Sequence, residues 1–292
     1  MKQFKGLFPA IVTPFYADGN CNYTMLEKLI EKNIAQGVSG FYVSGTTGES
    51  FLLSDEERSE LIRETCSIVD GRCDVIANIG TFSTGRSIKM AKEAVRAGAS
   101  AISAVPPFYF PYTKEEIRNY YLDIASEAET GIIIYNIPKM NGVNFATDDL
   151  IGLLNHENVV GIKQTTYDLY QTERLVGCCG DKTVFNGHDE ILLPSLSVGV
   201  RAAIGSTFGI IPDVYMKLMQ YFQDGCFDKA MELQKKANDL MDTLLKIGIF
   251  KAIKGILKLQ GIDCGDCRKP FGAITREEYD VLDKALEKLY GG

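Results

Sequence analysis

A lysine at the end of an apolar run is the residue of this sequence best suited to covalent chemistry. Lys163 stands in the segment VVGIKQTT at 159–166. Burying an ammonium group costs free energy unless a partner offsets that cost, and burial favours the uncharged amine. A free amine can attack a ketone and form a Schiff base. We therefore identify Lys163 as a candidate nucleophile, with a structural ion pair as its alternative role.

Two earlier segments carry hydroxyl groups that could assist a nucleophile. Tyr135, in GIIIYNIP at 131–138, could relay a proton if its hydroxyl is buried. A core tyrosine whose hydroxyl bonds the backbone is the alternative. Thr46 and Thr47, in SGTTGES at 44–50, offer hydroxyls and amides to a carboxylate, and Gly45 and Gly48 allow close approach of the backbone. A tight turn with hydroxyl caps is the alternative there.

Two later segments offer polar side chains suited to a polyhydroxylated ligand. Asp189 and Glu190 stand beside Gly187 in NGHDE, and Ser206 lies in the next apolar segment. For Glu190 the alternative is a helix N-terminus, where acidic residues are favourable. His188 could act as a base, although a lone histidine beside a loop glycine is more often a surface or packing residue.

The candidate residues follow short apolar runs that alternate with helical patterns. The runs are rich in Val and Ile, which is typical of strands in a parallel sheet covered by helices. Eight runs occur, at 7–15, 40–45, 74–80, 99–107, 131–138, 159–166, 183–187 and 201–207. Capping boxes, which mark the start of a helix, are predicted at three places. They pair Ser54 with Glu57, Thr113 with Glu116, and Thr275 with Glu278.

Eight strand–helix units in about 210 residues predict an α/β protein, with a (β/α)8 TIM barrel as catalytic domain over 1–211. A doubly wound open sheet is the alternative. After Gly209 the strand pattern ends, and the remaining segments all have helical patterns. They predict a C-terminal helical subdomain over 212–292. In a TIM barrel functional side chains lie at the carboxyl ends of the strands, where Lys163 and Tyr135 are expected.

Composition narrows the possible partners. The 292 residues include 31 Lys and Arg against 38 Asp and Glu, a net charge of −7, and no basic run could follow a nucleic-acid backbone. We find neither 18 consecutive apolar residues nor a signal peptide, so we expect no membrane association and a cytoplasmic location.

The eight cysteines, including the CGDC at 264–267, are expected to be reduced, and with only two histidines we expect no metal site.

Together these motifs resemble one enzyme family. A lysine on strand six, a tyrosine on strand five and GTTGE after strand two are similar to the pyruvate-dependent class I aldolases that include dihydrodipicolinate synthase and N-acetylneuraminate lyase. The resemblance runs from LFPAIVTPF to RKPFG. The lyase branch is favoured by AVPPFYFPY, YNIPKMNGV, KQTTYDLYQ, FNGHDEIL, AIGSTFG and CRKPFG. Met140 stands where the synthases carry a carboxylate-binding arginine, whereas GTTGE in place of GSTGE, and His188 in place of an aromatic residue, depart from the lyases.

The resemblance implies the reversible cleavage of N-acetylneuraminate to pyruvate and N-acetylmannosamine. The covalent imine on Lys163 would act as the electron sink, so no cofactor or metal is expected. Tyr135 would move the proton of the substrate's C4 hydroxyl. Thr46 and Thr47 would hold the pyruvate carboxylate, with Thr46 also among the catalytic hydroxyls. Tyr109 would reach into the hydroxyl relay of a neighbouring subunit.

The resemblance also implies a sugar-binding wall and a homotetramer. The residues of the wall would be Thr165, Gly187, Asp189, Glu190 and Ser206, with Phe250 from the helical tail. Dihydrodipicolinate synthase and other 2-keto-3-deoxy sugar-acid aldolases are the nearest alternatives, since all share the imine step. A phosphosugar isomerase and a non-enzymatic sugar-acid sensor are the more distant alternatives.

Overall fold

The strands of this protein are short and almost wholly buried. The computed structural model describes residues 2–291. Within that range eight strands occur, and each overlaps one of the eight predicted apolar runs, which are mostly longer than the strands. They are Gly6–Pro9 (β1), Gly40–Val43 (β2), Asp74–Asn78 (β3), Ala101–Ala104 (β4), Ile132–Asn136 (β5), Val159–Gln164 (β6), Thr183–Asn186 (β7) and Ala202–Gly205 (β8).

Helices lie between the strands and continue after the last one. The helices among residues 2–197 are Tyr23–Ala35 (α1), Asp55–Val69 (α2), Thr84–Arg96 (α3), Lys114–Ala128 (α4), Pro138–Asn141 (α5), Thr147–Leu154 (α6), Leu169–Cys178 (α7) and Leu192–Ser197 (α8). Those that follow β8 are Pro212–Gln223 (α9), Phe227–Ile247 (α10), Ile249–Leu259 (α11) and Arg276–Tyr290 (α12). Short 3-10 turns occur at Ser50–Leu52, Asp189–Ile191 and Thr207–Gly209.

The sheet curves until its two ends meet. All neighbouring strands run parallel, in the order β1-β8-β7-β6-β5-β4-β3-β2. β1 and β2 meet through a parallel bridge between Ala10 and Tyr42, where the Ile11 N–H donates to the Tyr42 carbonyl at 3.2 Å. The predicted (β/α)8 barrel is therefore confirmed, and the open sheet considered as its alternative is wrong.

Two apolar layers stabilise the barrel. The outer layer packs the strands against the helices, and the inner layer fills the barrel itself. Inside, the rings of Phe8 and Phe185 meet edge-on with their centroids 5.7 Å apart, and Phe4 packs on both. Tyr42 and Tyr135 belong to the same inner cluster and lie near the carboxyl ends of their strands. The barrel is thus filled with aromatic rings beneath the end where chemistry is expected.

Capping boxes begin three of the helices, as predicted. Before α2, Ser54 Oγ accepts from the Glu57 N–H at 3.2 Å, and the Glu57 carboxylate accepts from the Ser54 N–H at 2.8 Å. The same reciprocal pairs begin α4 and α12. Because each box satisfies orphan amide groups of the first turn, it fixes the residue at which the helix begins.

The helical tail contacts the barrel on several sides. α9 packs against β1, α8 and α10, so it covers the barrel in the position that follows strand eight. α10 packs against α8 and against the 3-10 turn Asp189–Ile191. The predicted division at 211 and 212 falls just before α9, which contacts both parts, and the division stays a prediction. No helix within residues 2–291 has the length and apolar character needed to span a membrane.

Candidate active site

A cavity of about 340 Å³ opens at the carboxyl ends of the strands. A volume of this order is typical of sites for small molecules. Ten of the eleven predicted site residues line it. They are Thr46, Thr47, Tyr135, Lys163, Thr165, Gly187, Asp189, Glu190, Ser206 and Phe250. Tyr109 is the exception, because it is 77% exposed on a loop outside this cavity.

Lys163 lies on β6 with only 5% of its surface exposed. Its Nζ is 4.0 Å from the ring centroid of Tyr135 and 4.6 Å from that of Tyr42. None of the ion pairs among residues 2–291 involves Lys163, so the structural ion pair considered for it is not formed with any described residue. The buried Nζ therefore lies against two aromatic rings instead of a carboxylate. Cation–π contacts with such rings offset only part of the free energy that burying a charge costs.

Tyr42 is a cavity residue that the sequence analysis missed. It is fully buried, and its hydroxyl lies 3.2 Å from Ser103 Oγ and 3.4 Å from Asn78 Oδ1. Burial raises the pKa of Tyr42 well above its ordinary value. A Cβ at Gly45 would lie 2.5 Å from the Tyr42 ring, so this glycine serves the packing of Tyr42 at least as directly as an approaching ligand. The sequence feature that could have identified Tyr42 as a cavity residue is its position just before the glycine-rich turn.

Tyr135 is buried at the end of β5 and meets the Tyr42 ring edge-on, with centroids 6.0 Å apart. Its hydroxyl makes no hydrogen bond with any side chain or backbone group of residues 2–291. The alternative of a core tyrosine bonded to the backbone is therefore not seen within that range. A hydroxyl that lines the cavity without a partner is available to a ligand.

The loop after β2 is held from below by a buried arginine. Arg58 of α2 donates to Ser44 Oγ at 3.0 Å, to the Asn78 carbonyl at 2.9 Å and to the Gly80 carbonyl at 3.0 Å. Burial lowers the pKa of Arg58 to about 10. Ser44 has a left-handed backbone, with φ of +57°, which is uncommon outside glycine and asparagine. Arg58 therefore ties the strained turn that leads into Thr46, through Ser44, to the carboxyl end of β3.

The same loop is tied to the helical tail by a buried ion pair. Lys254 Nζ of α11 lies 2.8 Å from Glu49 Oε1, and the two side chains are 3% and 0% exposed. The Arg268 N–H donates to Glu49 Oε2 at 2.7 Å, and Lys254 donates to the Asp266 carbonyl at 3.0 Å. Glu49 also has a left-handed backbone, with φ of +58°. The tail thus fixes the end of the loop that carries Thr46 and Thr47.

Across the cavity, the loops after β2, β6, β7 and β8 meet. Thr47 Oγ1 and Ser206 Oγ are hydrogen-bonded at 3.0 Å. The Thr165 hydroxyl is buried and has no hydrogen-bond partner among the described residues. A Cβ at Gly187 would overlap that hydroxyl, which explains why glycine occupies this position. Beside Tyr135, the cavity therefore contains a second buried hydroxyl without a partner among the described residues.

Asp189 is fixed by hydrogen bonds from the loop after β8. Its Oδ2 accepts from the Thr207 N–H at 2.7 Å and from Thr207 Oγ1 at 2.6 Å. Gln234 of α10 donates to the Asp189 carbonyl at 3.2 Å. Burial outweighs these bonds and raises the pKa of Asp189 to about 6. Its carboxylate therefore joins two loops at the cavity wall.

Removing this carboxyl group should change how stability depends on pH. Because the pKa of Asp189 is raised in the folded state to about 6, its protonation stabilises the fold, and that stabilisation is lost as the pH rises through about 6. Between pH 7.5 and 5.5 the free energy of unfolding should therefore rise by about 1 kcal/mol more in the wild type than in Asp189→Asn. Urea unfolding at both pH values measures this difference. Equal pH dependence in the two proteins would show that Asp189 is ionised normally.

Glu190, the neighbour of Asp189, has a different environment. Tyr167 donates its hydroxyl to Glu190 Oε1 at 2.5 Å, and His188 Nδ1 lies 3.3 Å from the same oxygen. Burial opposes ionisation here, but the hydrogen bonds from His188 and Tyr167 prevail, and the pKa of Glu190 is lowered to about 2. Two adjacent carboxyl groups are thus shifted in opposite directions by their surroundings.

Comparison with known proteins decides the family. A model of the dihydrodipicolinate synthetase family matches residues 3–289. The chain belongs to the dihydrodipicolinate synthetase family. This places it in a superfamily of pyruvate-dependent class I aldolases.

Solved structures of several members are similar to this chain over almost its whole length. CdNal from Clostridium difficile, solved in complex with mannosamine, is 33% identical with a TM-score of 0.95, covering 98% of this chain and 99% of that one. N-acetylneuraminate lyase from Fusobacterium nucleatum is 34% identical with a TM-score of 0.93, covering 98% of each chain. Dihydrodipicolinate synthase DapA-2 from Bacillus anthracis is 30% identical with a TM-score of 0.94, covering 98% of this chain and 99% of that one. Members with different names are therefore about equally similar.

In this member of the dihydrodipicolinate synthetase family, Tyr109 belongs to an exposed aromatic surface. Its ring meets Phe110 edge-on at 5.1 Å. Close by in the sequence, Phe108 packs with Phe51 and Phe82, at 5.4 and 4.9 Å between centroids. These five side chains are each at least 36% exposed. We name them the aromatic surface.

The cysteines of this family member are not arranged as a second reactive or metal-binding centre within residues 2–291. All eight cysteines are free thiols. Cys264 and Cys267 are buried in the segment before α12, and burial raises the pKa of each thiol to about 12. Within residues 2–291 no group of three or more His, Cys, Asp or Glu side chains is arranged to hold a metal ion. The thiols at 264 and 267 are therefore packing groups rather than ready nucleophiles.

Proposed function

We propose that this protein is a Schiff-base aldolase that cleaves N-acetylneuraminate reversibly to pyruvate and N-acetylmannosamine. The observation that carries the proposal is the buried side chain of Lys163, which lines the cavity and forms no ion pair with any described residue. Family membership supports the aldolase class. The names of the Clostridium difficile and Fusobacterium nucleatum relatives support the choice of substrate.

In the first step the Lys163 amine attacks the C2 ketone of the open-chain substrate. Loss of water gives an iminium, and the positive nitrogen becomes the electron sink for the bond between C3 and C4. No separate cofactor is required for this step. The aromatic faces of Tyr135 and Tyr42, at 4.0 and 4.6 Å from Nζ, lie where they can stabilise the iminium charge by cation–π contact.

In the second step the Tyr135 oxygen takes the proton of the C4 hydroxyl while the Tyr135 hydroxyl passes its own proton to the substrate carboxylate, which later returns it for the protonation at C3. The C3–C4 electron pair moves to the iminium, so N-acetylmannosamine leaves and an enamine remains on Lys163. Protonation at C3 and hydrolysis by one water then release pyruvate and the free amine. The Tyr135 hydroxyl is suited to this task because it is buried and is not used by the fold within residues 2–291.

The two halves of the substrate would bind opposite walls of the cavity. Thr46 and Thr47 would hold the carboxylate through their amides and hydroxyls, since the loop is fixed at both ends. The unpartnered hydroxyl of Thr165 and the carboxylate of Glu190 would bind the polyol. Phe250 of α11 lines the same cavity and would close it from the tail.

Loss of the Tyr135 hydroxyl should affect turnover more than binding. In Tyr135→Phe the ring that packs on Lys163 and Tyr42 is kept. We expect kcat for pyruvate release to fall about 10²- to 10³-fold, the usual contribution of general acid–base catalysis, with KM changed less. Steady-state kinetics measure both values. An unchanged kcat would remove Tyr135 from the proton transfer.

The decisive test of the function combines turnover with trapping of the adduct. The protein is incubated with N-acetylneuraminate while pyruvate release is followed, and a parallel sample with pyruvate is reduced with borohydride and mapped by mass spectrometry. Pyruvate release together with a mass increment on Lys163 would support the proposal. An adduct without release would retain the aldolase class and exclude this substrate. Absence of an adduct would favour the isomerase or sensor alternatives.

Dihydrodipicolinate synthase is the second candidate, because the Bacillus anthracis synthase is 30% identical to this chain. Lys139 lines the cavity and could bind the carboxylate of an aldehyde substrate. Against this, its neighbour Met140 also lines the cavity, and a thioether cannot form the paired contact that arginine gives a carboxylate. Condensation of pyruvate with aspartate semialdehyde would identify this activity. Other 2-keto-3-deoxy sugar acids test the remaining aldolases.

We further propose that the enzyme is a cytoplasmic homotetramer, as the family resemblance implies. The aromatic surface offers a second copy of this chain an apolar area next to Tyr109, the residue expected to reach a neighbouring site. The exposure of these five aromatic side chains favours their burial against protein. Analytical ultracentrifugation gives the oligomeric state, and a monomer would contradict this arrangement.

A further inference from the structure

One oxygen of Glu190 receives two donors, and the other receives none from a side chain. Tyr167 donates to Oε1 at 2.5 Å, and His188 Nδ1 approaches the same oxygen at 3.3 Å. No side chain within residues 2–291 donates to Oε2. Because Glu190 lines the cavity, its second oxygen is the one available to a ligand.

The two donors are held in place by each other. The rings of Tyr167 and His188 are stacked, with centroids 4.3 Å apart and planes inclined by 8°. Tyr167 is 55% exposed, so more than half of its surface faces solvent. Stacking therefore removes rotamer freedom that the tyrosine would otherwise retain, and it aims both donors at one carboxylate.

The backbone beneath this pair is fixed as well. Asn186 Nδ2 donates to the His188 carbonyl at 2.6 Å, and Asn238 of α10 donates to the Glu190 carbonyl at 3.0 Å. The carboxylate is thus oriented by its side-chain donors and anchored through its own main chain. A preorganised acceptor binds a ligand hydroxyl without a further ordering cost.

We propose that the stacked pair Tyr167 and His188 determines which aldehydes the enzyme accepts, by presenting Glu190 Oε2 to the hydroxyl groups of a long polyol chain. The inference rests on the proposed aldolase function and adds a specificity role for two residues that the reaction itself does not need. Both act through Glu190 and are positioning residues. An ionised carboxylate can only accept hydrogen bonds. It therefore selects ligands that place a hydrogen-bond donor, such as a hydroxyl group, next to Glu190.

The test compares a long and a short aldehyde in condensation with pyruvate. Tyr167→Phe and His188→Phe each keep an aromatic ring for the stack and remove one donor. For N-acetylmannosamine we expect KM to rise about tenfold in each variant, the value of one hydrogen bond to a charged group, with kcat changed less. For glyceraldehyde, which has too few hydroxyls to span the cavity, the change should be smaller. The ratio of the two kcat/KM values should therefore fall about tenfold.

Tyr170→Phe is the matched control. Tyr170 lies on α7, is 74% exposed and contacts Arg174 rather than the cavity, so its substitution should leave the ratio unchanged. The double variant should lose less than the two single losses combined, because both donors serve one oxygen. Equal loss on both aldehydes would leave the ratio unchanged and assign the pair a merely structural role, and no loss on either aldehyde would exclude the pair from specificity. Both results overturn the inference while the wild type remains active.

Failure of the proposed function would look different. In that case the wild-type protein would form no borohydride-trapped pyruvate adduct on Lys163, or would condense pyruvate with neither aldehyde. The inference would fall with it. An intact adduct in the Tyr167 and His188 variants, combined with the altered aldehyde ratio, supports both statements together.

Discussion

Replacement of Lys163 by methionine is expected to lower kcat for pyruvate release by about 10⁴-fold or more, the size of loss seen when a covalent nucleophile is removed. Methionine has a similar length, so the contacts with the rings of Tyr135 and Tyr42 can persist without a charge. The amine that forms the imine is absent from this variant. Steady-state kinetics and borohydride trapping with pyruvate measure the two effects.

The matched control for this substitution is a second lysine of the same cavity. Lys139 also lines the cavity but is exposed rather than buried. Lys139→Met should still form the trapped adduct, whereas Lys163→Met should form none. Circular dichroism and urea unfolding check that both variants fold. A trapped adduct at another lysine of the Lys163 variant would assign the nucleophile elsewhere.

Replacement of Lys254 by methionine is expected to destabilise the fold by about 3–5 kcal/mol, because it leaves the Glu49 carboxylate buried without its cation. The two side chains are 3% and 0% exposed, so water cannot readily replace the missing partner. Arg268 continues to supply one N–H to Glu49, at 2.7 Å, which limits the loss. The midpoint of urea unfolding, with the slope checked against the wild type, gives the change in free energy.

Two further variants interpret this result. Lys288→Met removes the exposed pair with Asp239 and should change stability by less than about 1 kcal/mol. The double variant Glu49→Gln with Lys254→Met removes both charges and should recover part of the loss, since the main penalty is the unpaired buried charge. A loss at Lys254 no larger than that at Lys288 would show that the pair does not hold the loop.

The strands were predictable because each strand is a short apolar run that is buried on both faces, such as Ile132–Asn136 between inner and outer layers. The helix starts were predictable because capping boxes act over only three residues. The position of Lys163 followed from the same logic, since a lysine at the end of a buried apolar strand has few structural uses. Each of these features depends on residues that are close together in the sequence, so each can be predicted without knowing the fold.

Other site features depend on contacts between distant segments and could not be predicted. The stack of Tyr167 on His188 joins the loops after β6 and β7, and each residue alone resembles an ordinary loop residue. The pair of Glu49 with Lys254 joins the loop after β2 to α11. Tyr42 was overlooked because a tyrosine in a strand is usually a packing residue. In each case the role of the residue depends on a neighbour from a distant segment. Neither the pattern of apolar residues nor the spacing within a motif identifies that neighbour.

The anchoring of the two loops on separate helices has a consequence for how such an enzyme can diversify. The loop after β2 is held by Arg58, which donates to Ser44 Oγ, and by Lys254 of α11, whereas the loop that carries Glu190 is held by Gln234 and Asn238 of α10. Substitutions on α10 can therefore remodel the aldehyde wall while the carboxylate wall keeps its shape. Descendants of one ancestor could acquire new aldehyde partners by drift along a single helix and retain the inherited pyruvate chemistry.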